Sequence, residues 1–357
     1  GLPPLTRLTW IFSGAWTSLR GKKGKVFFKQ FFRTAFATAI PFILFHATTA
    51  PVEAQASPPK SEEAEKNENM PLVLSGPLQP DIYLTDLFVF EGLHYLSNLE
   101  NITDRVNSYD NQPTFTPDSR SILYTAAYGD GNQEQTEIHR YYLSSRRITR
   151  ITRTNESEYS ATPIPNDRAI TVVRVEADSV QHLWRMTLEG MDAELVLRDI
   201  APVGYHVWGN EETVLLFILG DPPTLRVADV TNGQVQVVAE NIGRSLHRIP
   251  NRNAWSFVQR VSDDEAWINE VNIGTREVSR IIRALDGGEF HAWTPEGVLL
   301  MASGGQIFQW DPELDRDWRR IANLNHMGLT FSRIAVSPDG TKIAIVGQPI
   351  SESNPNP

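Results

Sequence analysis

Beyond Pro80 the apolar positions fall in short runs separated by clusters of Gly, Pro, Asn and Asp, and no amphipathic stretch is long enough to predict a helix. Residues 111–126 (NQPTFTPDSRSILYTA) show the unit: strand, turn, strand. Pro117 presets φ, Asp118 can hydrogen-bond its own backbone two residues on, and Ile122 and Tyr124 suit a pleated, half-buried surface. A close relative returns near the end as residues 333–347 (RIAVSPDGTKIAIVG). Recurrence at both ends of a β-rich segment predicts repetition between them.

The apolar residues that precede each recurring turn are Phe115, Ile164, Trp208, Ile249, Trp293 and Val336, at intervals of 49, 44, 41, 44 and 43 residues. That period is one four-stranded propeller blade, and six marks predict six blades. In the third unit, residues 204–208, 213–219, 223–230 and 234–239 form the strands, with Thr231-Asn232-Gly233 as the last hairpin turn. Sequence for only two strands remains after Val336, while residues 81–90 and 93–102 are a surplus of two before Phe115. Pairing surplus with deficit predicts an all-β, six-bladed β-propeller over residues 81–348. N-terminal outer strands pair there with C-terminal inner strands, and ring closure removes open sheet edges.

Residues 111–126 and 333–347, with residues 147–155 (RITRITRTN) feeding residues 158–163, resemble the repeats of the TolB-like, WD40-like propellers. In those repeats a strand ending in Ser/Thr-Pro-Asp-Gly follows a Leu-Thr-rich outer strand. The turn is fullest at Pro117-Asp118-Ser119 and Pro338-Asp339-Gly340. It is partial at Pro165-Asn166-Asp167 and Thr294-Pro295-Glu296-Gly297, and it departs further at Trp208-Gly209-Asn210 and Ile249-Pro250-Asn251. The resemblance implies an exported propeller that binds a protein, peptide or carbohydrate ligand.

Composition separates the rest of the chain from this segment. Lys22, Lys23, Lys25, Lys29 and Arg33 precede an apolar run, and Ala54-Gln55-Ala56 supplies the small-x-small pattern of a secretory cleavage site. Residues 1–56 therefore read as a leader, with Ser57 as the mature N-terminus and a periplasmic or secreted destination. Residues 57–80 are rich in Pro, Glu, Lys and Asn, too poor in core residues to fold alone, and read as an acidic disordered linker. Residues 349–357 read as a tail. The formal charge is −10 for the whole chain and −16 without the leader, so phosphate backbones and anionic lipid surfaces are repelled. No nucleic-acid partner, no membrane span in the mature chain and a monomer are the expectations. The absence of Cys excludes disulfides, thiolate metal sites and cysteine nucleophiles.

Candidate chemistry gathers on three histidines. His206, His247 and His291 each stand two residues before the marks Trp208, Ile249 and Trp293, near the start of an innermost strand. One reading gives them a repeated packing or hydrogen-bonding task. A second has three imidazoles converge at the channel mouth on a divalent metal, zinc or manganese, with open positions for water or substrate. Resemblance to the oligogalacturonate lyases, which hold a metal on channel histidines, implies the second. Tyr205, Arg244 and Glu289 would then serve as acid, base or charge partner, and otherwise line the mouth as ligand contacts. Two functions follow: a binding or scaffold module without a cofactor, and, as the alternative, a metal-dependent lyase or hydrolase. A serine peptidase of the prolyl oligopeptidase type, which also carries a propeller, is excluded because the Gly-x-Ser-x-Gly elbow it needs does not occur. The acidic stretches 130–134 and Asp311, Asp315 and Asp317 read as turn and solvated loop before calcium ligands, and most of Trp184, Trp255, Trp267, Trp310 and Trp318 read as blade packing.

Overall fold

The computed structural model describes residues 80–105, 108–128, 135–166 and 168–350. The leader, all of the linker but Pro80, the acidic stretch 130–134 and residues 351–357 lie outside the described residues.

The chain opens with β1 (Asp81–Phe90) and β2 (Leu93–Asn101). Blade 1 follows with β3 (Tyr109–Phe115), β4 (Ser121–Tyr128), β5 (Gln135–Tyr142) and β6 (Ile148–Arg150). Blade 2 has β7 (Ser157–Pro163), β8 (Ala169–Val175), β9 (Gln181–Thr187) and β10 (Glu194–Val196). Blade 3 has β11 (Val203–Trp208), β12 (Thr213–Ile218), β13 (Thr224–Asp229) and β14 (Val235–Glu240), within a residue or so of the sequence parse. Blade 4 has β15 (Ile242–Arg248), β16 (Ala254–Ser262), β17 (Glu265–Asn272) and β18 (Val278–Arg283). Blade 5 has β19 (His291–Trp293), β20 (Leu299–Ser303), β21 (Gln306–Trp310) and β22 (Arg319–Asn323). Last come β23 (Leu329–Val336) and β24 (Lys342–Pro349), which pair with the first hairpin in the order β2-β1-β24-β23. The predicted closure is thus formed: β1 runs antiparallel to β24, from Asp81 opposite Gly347 to Asp86 opposite Lys342.

The second strand of each blade is apolar on both faces because both are buried between blades. In β12, Val214, Leu216 and Ile218 join a cluster with Ile164, Val173 and Leu183 of blade 2, while Leu215 and Phe217 join Trp255 and Phe257 of blade 4. The same logic closes the circle. Each of six apolar clusters spans two neighbouring blades, including Leu300 and Ile307 with Ile334 and Ile345, and Ile82 and Val346 with Phe115 and Tyr124. Each fully buried Leu or Ile contributes roughly 2 kcal/mol by area, so the blade junctions dominate the stability of the ring. The outermost strand of blade 5 carries exposed Arg319 and Arg320, which discourage edge pairing.

In every blade but the third, the first turn keeps a left-handed residue even where its sequence departs. Ser119, Asn166, Asn251, Gly297 and Gly340 all hold positive φ, between 56° and 92°. Asn and Gly adopt this region readily, and Asp118 and Asp339 brace their turns by accepting hydrogen bonds from Thr116 Oγ1 and Ser337 Oγ, both at 2.6 Å.

Strand pairing corrects the alignment of the blades in two places. The last residue of each innermost strand pairs near the start of the next strand: Phe115 with Ile122, Pro163 with Ile170, Trp208 with Val214, Arg248 with Trp255, Trp293 with Leu299 and Val336 with Ile343. The equivalents in blades 2 and 4 are therefore Pro163 and Arg248, one residue before Ile164 and Ile249. Apolarity misplaced the mark because in these blades the first large buried side chain comes one position later. A one-residue shift moves a side chain to the other face of the sheet, so Leu246, and not His247, is equivalent to His206 and His291.

Candidate functional site: the channel mouth

His206 and His291 occupy matching places between blades. His206 Nε2 lies 2.7 Å from Thr171 Oγ1, and the indole of Trp208 donates to the same oxygen at 2.8 Å. One blade pair further round, His291 Nε2 lies 2.8 Å from Ser256 Oγ, and Trp293 Nε1 donates to that oxygen at 2.8 Å. His and Trp two residues apart on an innermost strand thus share one face and reach one hydroxyl of the preceding blade. At other junctions the hydroxyl and His positions hold hydrocarbon: Leu123 with Ala161, Leu215 with Leu246, Leu300 with Ile334. Two buried His-hydroxyl-Trp triads therefore stand where packing alone serves elsewhere. Burial pushes His206 down to about 3 and drives His291 well below its ordinary value, so both rings are neutral.

His247 faces the other way and meets His291 ring to ring, centroids 4.9 Å apart at 60°. Burial, with the charge of Arg333, lowers it to about 4. Among the described residues no group of three or more His, Asp or Glu side chains is placed to hold a metal ion. Asp315 accepts from the Asp311 backbone at 2.9 Å and from Arg319 Nη1 at 3.0 Å, bracing its loop. Trp255 is fully buried, whereas Trp184 and Trp267 lie half-buried beneath the guanidinium groups of Arg174 and Arg280.

Tyr205, Arg244 and Glu289 do come together. Arg244 grips Glu289 with both arms, Nε to Oε1 at 2.9 Å and Nη2 to Oε2 at 2.5 Å, and Arg260 Nη2 adds a longer contact at 3.6 Å. Burial opposes the charge on both partners, yet their mutual hydrogen bonds and attraction win, holding the Glu289 carboxyl below and the Arg244 guanidinium above their ordinary values. Both are charged. Arg333 Nη2 donates to the Tyr205 hydroxyl at 3.0 Å, and its guanidinium lies 4.9 Å from the Tyr205 ring centre and 4.0 Å from that of Phe290. Tyr109, whose phenol burial holds well above its ordinary value, feels Tyr205, Arg333, Tyr159 and Arg244.

These residues come from the innermost strands, or the residues just before them, of all six blades: Tyr109, Tyr159, Tyr205, Arg244, Glu289 with Phe290, and Arg333. Most sit in the first half of these strands or just before them, with Arg333 midway along β23, and together they line the central channel toward one mouth. Ladder register slips within the innermost strands, between Ile242 and Leu246 and between Phe331 and Ile334. Arg244 and Arg333 lie inside these irregularities, where a strand re-aims its side chains. Sequence reasoning missed Arg333, Phe290, Tyr109 and Tyr159. A signal existed: Tyr205, Phe290 and Arg333 each stand three residues before the paired positions Trp208, Trp293 and Val336.

No protein-family model and no curated protein matches the sequence. Among solved structures, one assigned as TolB from Agrobacterium tumefaciens superposes with a TM-score of 0.60 over 77% of this chain and 100% of that one, at 12% identity. The fold is that of a TolB-like propeller. TolB from Acinetobacter baumannii aligns with a TM-score of 0.48 at 14% identity, over 76% of this chain and 64% of that one. Oligogalacturonate lyase from Vibrio parahaemolyticus aligns with a TM-score of 0.45 at 11% identity, over 77% and 99%. At such identities the likeness is one of fold, and function rests on the site.

Proposed function

We propose that this protein is an exported binding and scaffold propeller that receives a protein, peptide or carbohydrate ligand at the mouth ringed by Tyr205, Arg244, Glu289, Phe290 and Arg333. One observation carries the reading: charged and aromatic side chains from every blade converge there, which a purely structural ring does not require. Paired charges fix orientation and aromatic faces supply contact area, the usual division of labour in a binding site. Export rests on the basic, apolar and Ala-Gln-Ala pattern of the leader. The test screens peptide and glycan arrays with the full chain, with Arg333→Ala and Phe290→Ala at the mouth, and with Met191→Ala on the exposed periphery. Mouth variants should lose retained ligands at least about tenfold while the peripheral variant keeps them. The opposite pattern overturns the proposal.

A further inference from the structure

Arg333 differs from every other cation at the mouth in how it is held. Arg244 is neutralised by Glu289 in a bidentate pair, and Arg260 leans on the same carboxylate. The direct contacts of Arg333 are neutral, one phenol oxygen and two ring faces; Glu289 reaches it through its field alone, and no acid forms an ion pair with it among the described residues. It is half-buried in a chain whose net charge is −10, where an acid would be an easy partner for a structural cation. A guanidinium carries five N–H donors in a planar fork, and the Tyr205 hydroxyl engages only Nη2. The ring faces fix the plane of that fork without consuming its donors, so the group is pre-organised for a planar anion.

The position restricts how such an anion arrives. Tyr205 belongs to blade 3 and Arg333 to the closing blade, which lie opposite one another in a ring of six. Their hydrogen bond crosses the channel and obstructs threading of a chain at this level, which favours a ligand that presents an end.

Resting on the binding function proposed above, we infer that the mouth captures the C-terminal carboxylate of an extended peptide, with the Arg333 fork as its receptor and the Tyr205 and Phe290 rings as its walls. A carboxylate matches the free edge of the fork in bidentate geometry, and a chain terminus satisfies the end-on approach. Glu289 stays committed to Arg244, which spares the incoming anion a free like charge.

The test titrates the full chain, by calorimetry or NMR, with N-acetyl tetra-alanine as the free acid and as the C-terminal amide. The free acid should bind at least about tenfold more tightly, as expected when a charge-assisted contact worth more than about 1.4 kcal/mol is lost. Arg333→Gln should abolish that preference, and Arg333→Lys, which keeps charge but not the fork, should restore only part of it. Thermal unfolding of both variants confirms folding, and Tyr205→Phe provides a milder second perturbation. Equal binding of acid and amide, both weakened by Phe290→Ala, overturns the carboxylate inference and leaves the mouth a binding site. Absence of binding by either form overturns the inference. Arg333-dependent binding of a hexuronate tetramer with no response to the peptides overturns the peptide assignment.

Discussion

Arg333 and Tyr205 are 128 positions apart in the chain and stand on opposite blades, yet Nη2 of one donates to the hydroxyl of the other at 3.0 Å. This bond braces the ring across its own channel. Blade-to-blade packing fixes the circumference, while this contact ties two sides of the mouth together.

The brace carries a measurable coupling. Tyr205→Phe and Arg333→Gln each remove one end, and in a double-mutant cycle by urea unfolding the pair should show a coupling of about 1 kcal/mol, typical for a hydrogen bond to a charged group partly open to water. A coupling near zero would mean that the contact does not tie the blades.

The two triads are stability devices with a directional signature. Thr171→Val keeps the shape but leaves His206 Nε2 and the Trp208 indole without their shared oxygen. It should cost about 2 kcal/mol or more, because buried donors and acceptors lose their partner. Ser256→Ala should act likewise at blades 4 and 5, whereas Leu215→Val at the corresponding apolar junction should cost only about 1 kcal/mol. Chemical unfolding of the three variants makes the comparison.

Gly209 is the residue after the last paired position of its strand, a place where other blades carry Thr116, Ile249, Thr294 or Ser337. Here the space belongs to Trp255 of blade 4, whose Cζ2 would overlap a Cβ at position 209. Gly209→Ala should therefore lower stability by about 1–3 kcal/mol, the usual range for overpacking against an aromatic ring that cannot retreat. Gly209→Ala combined with Trp255→Phe should recover part of that loss.

Acid should loosen the fold. Burial places the folded values of His206 near 3 and of His139 and His247 near 4, all below the ordinary 6.5. The unfolded chain takes up protons first as the pH drops, so the stability these groups contribute is complete above about 6.5 and is lost as pH falls toward 4 and 3. Burial moves Glu158 the other way, from 4.5 to about 7, so its contribution is present below 4.5 and disappears as pH rises through 7. Tm measured from pH 8 to pH 4 should decline, more gently in His206→Gln and more steeply in Glu158→Gln.

Closure depends on a hairpin far from its partner in the chain. A chain beginning at Thr103 lacks Ile82, Leu84 and Leu87 from two junction clusters, loses the 2.5 Å pair between Asp86 and Lys342, and leaves β24 as an open edge. Loss of cooperative thermal unfolding is the expected outcome, read by circular dichroism. A truncated chain with an unchanged transition would show that the closing hairpin is dispensable.

Much of this fold was legible because a propeller repeats one local code. Turn residues, alternating runs and strand counting placed residues 81–90 and 93–102 beside the C-terminal pair, and β1 and β2 lie there. The site was only partly legible. Tyr205, Arg244 and Glu289 were found by proximity to histidines whose own role lies between blades, and Arg333 stood unremarked inside the best-kept repeat. His247 went astray for a simple reason: Ile249 resembles Trp208 in polarity, but the ladder places Arg248 opposite Trp255.

Sequence alone determined the repeat, the number of blades, the closing pair and the acidic charge, since period, turn chemistry and composition are local properties that survive without a partner. Tertiary structure decided which residues meet. Register assigns each side chain to a face, and ring closure brings opposite strands within hydrogen-bond reach; neither follows from spacing along the chain, because one residue of slip reverses the face and the contacts span the whole propeller.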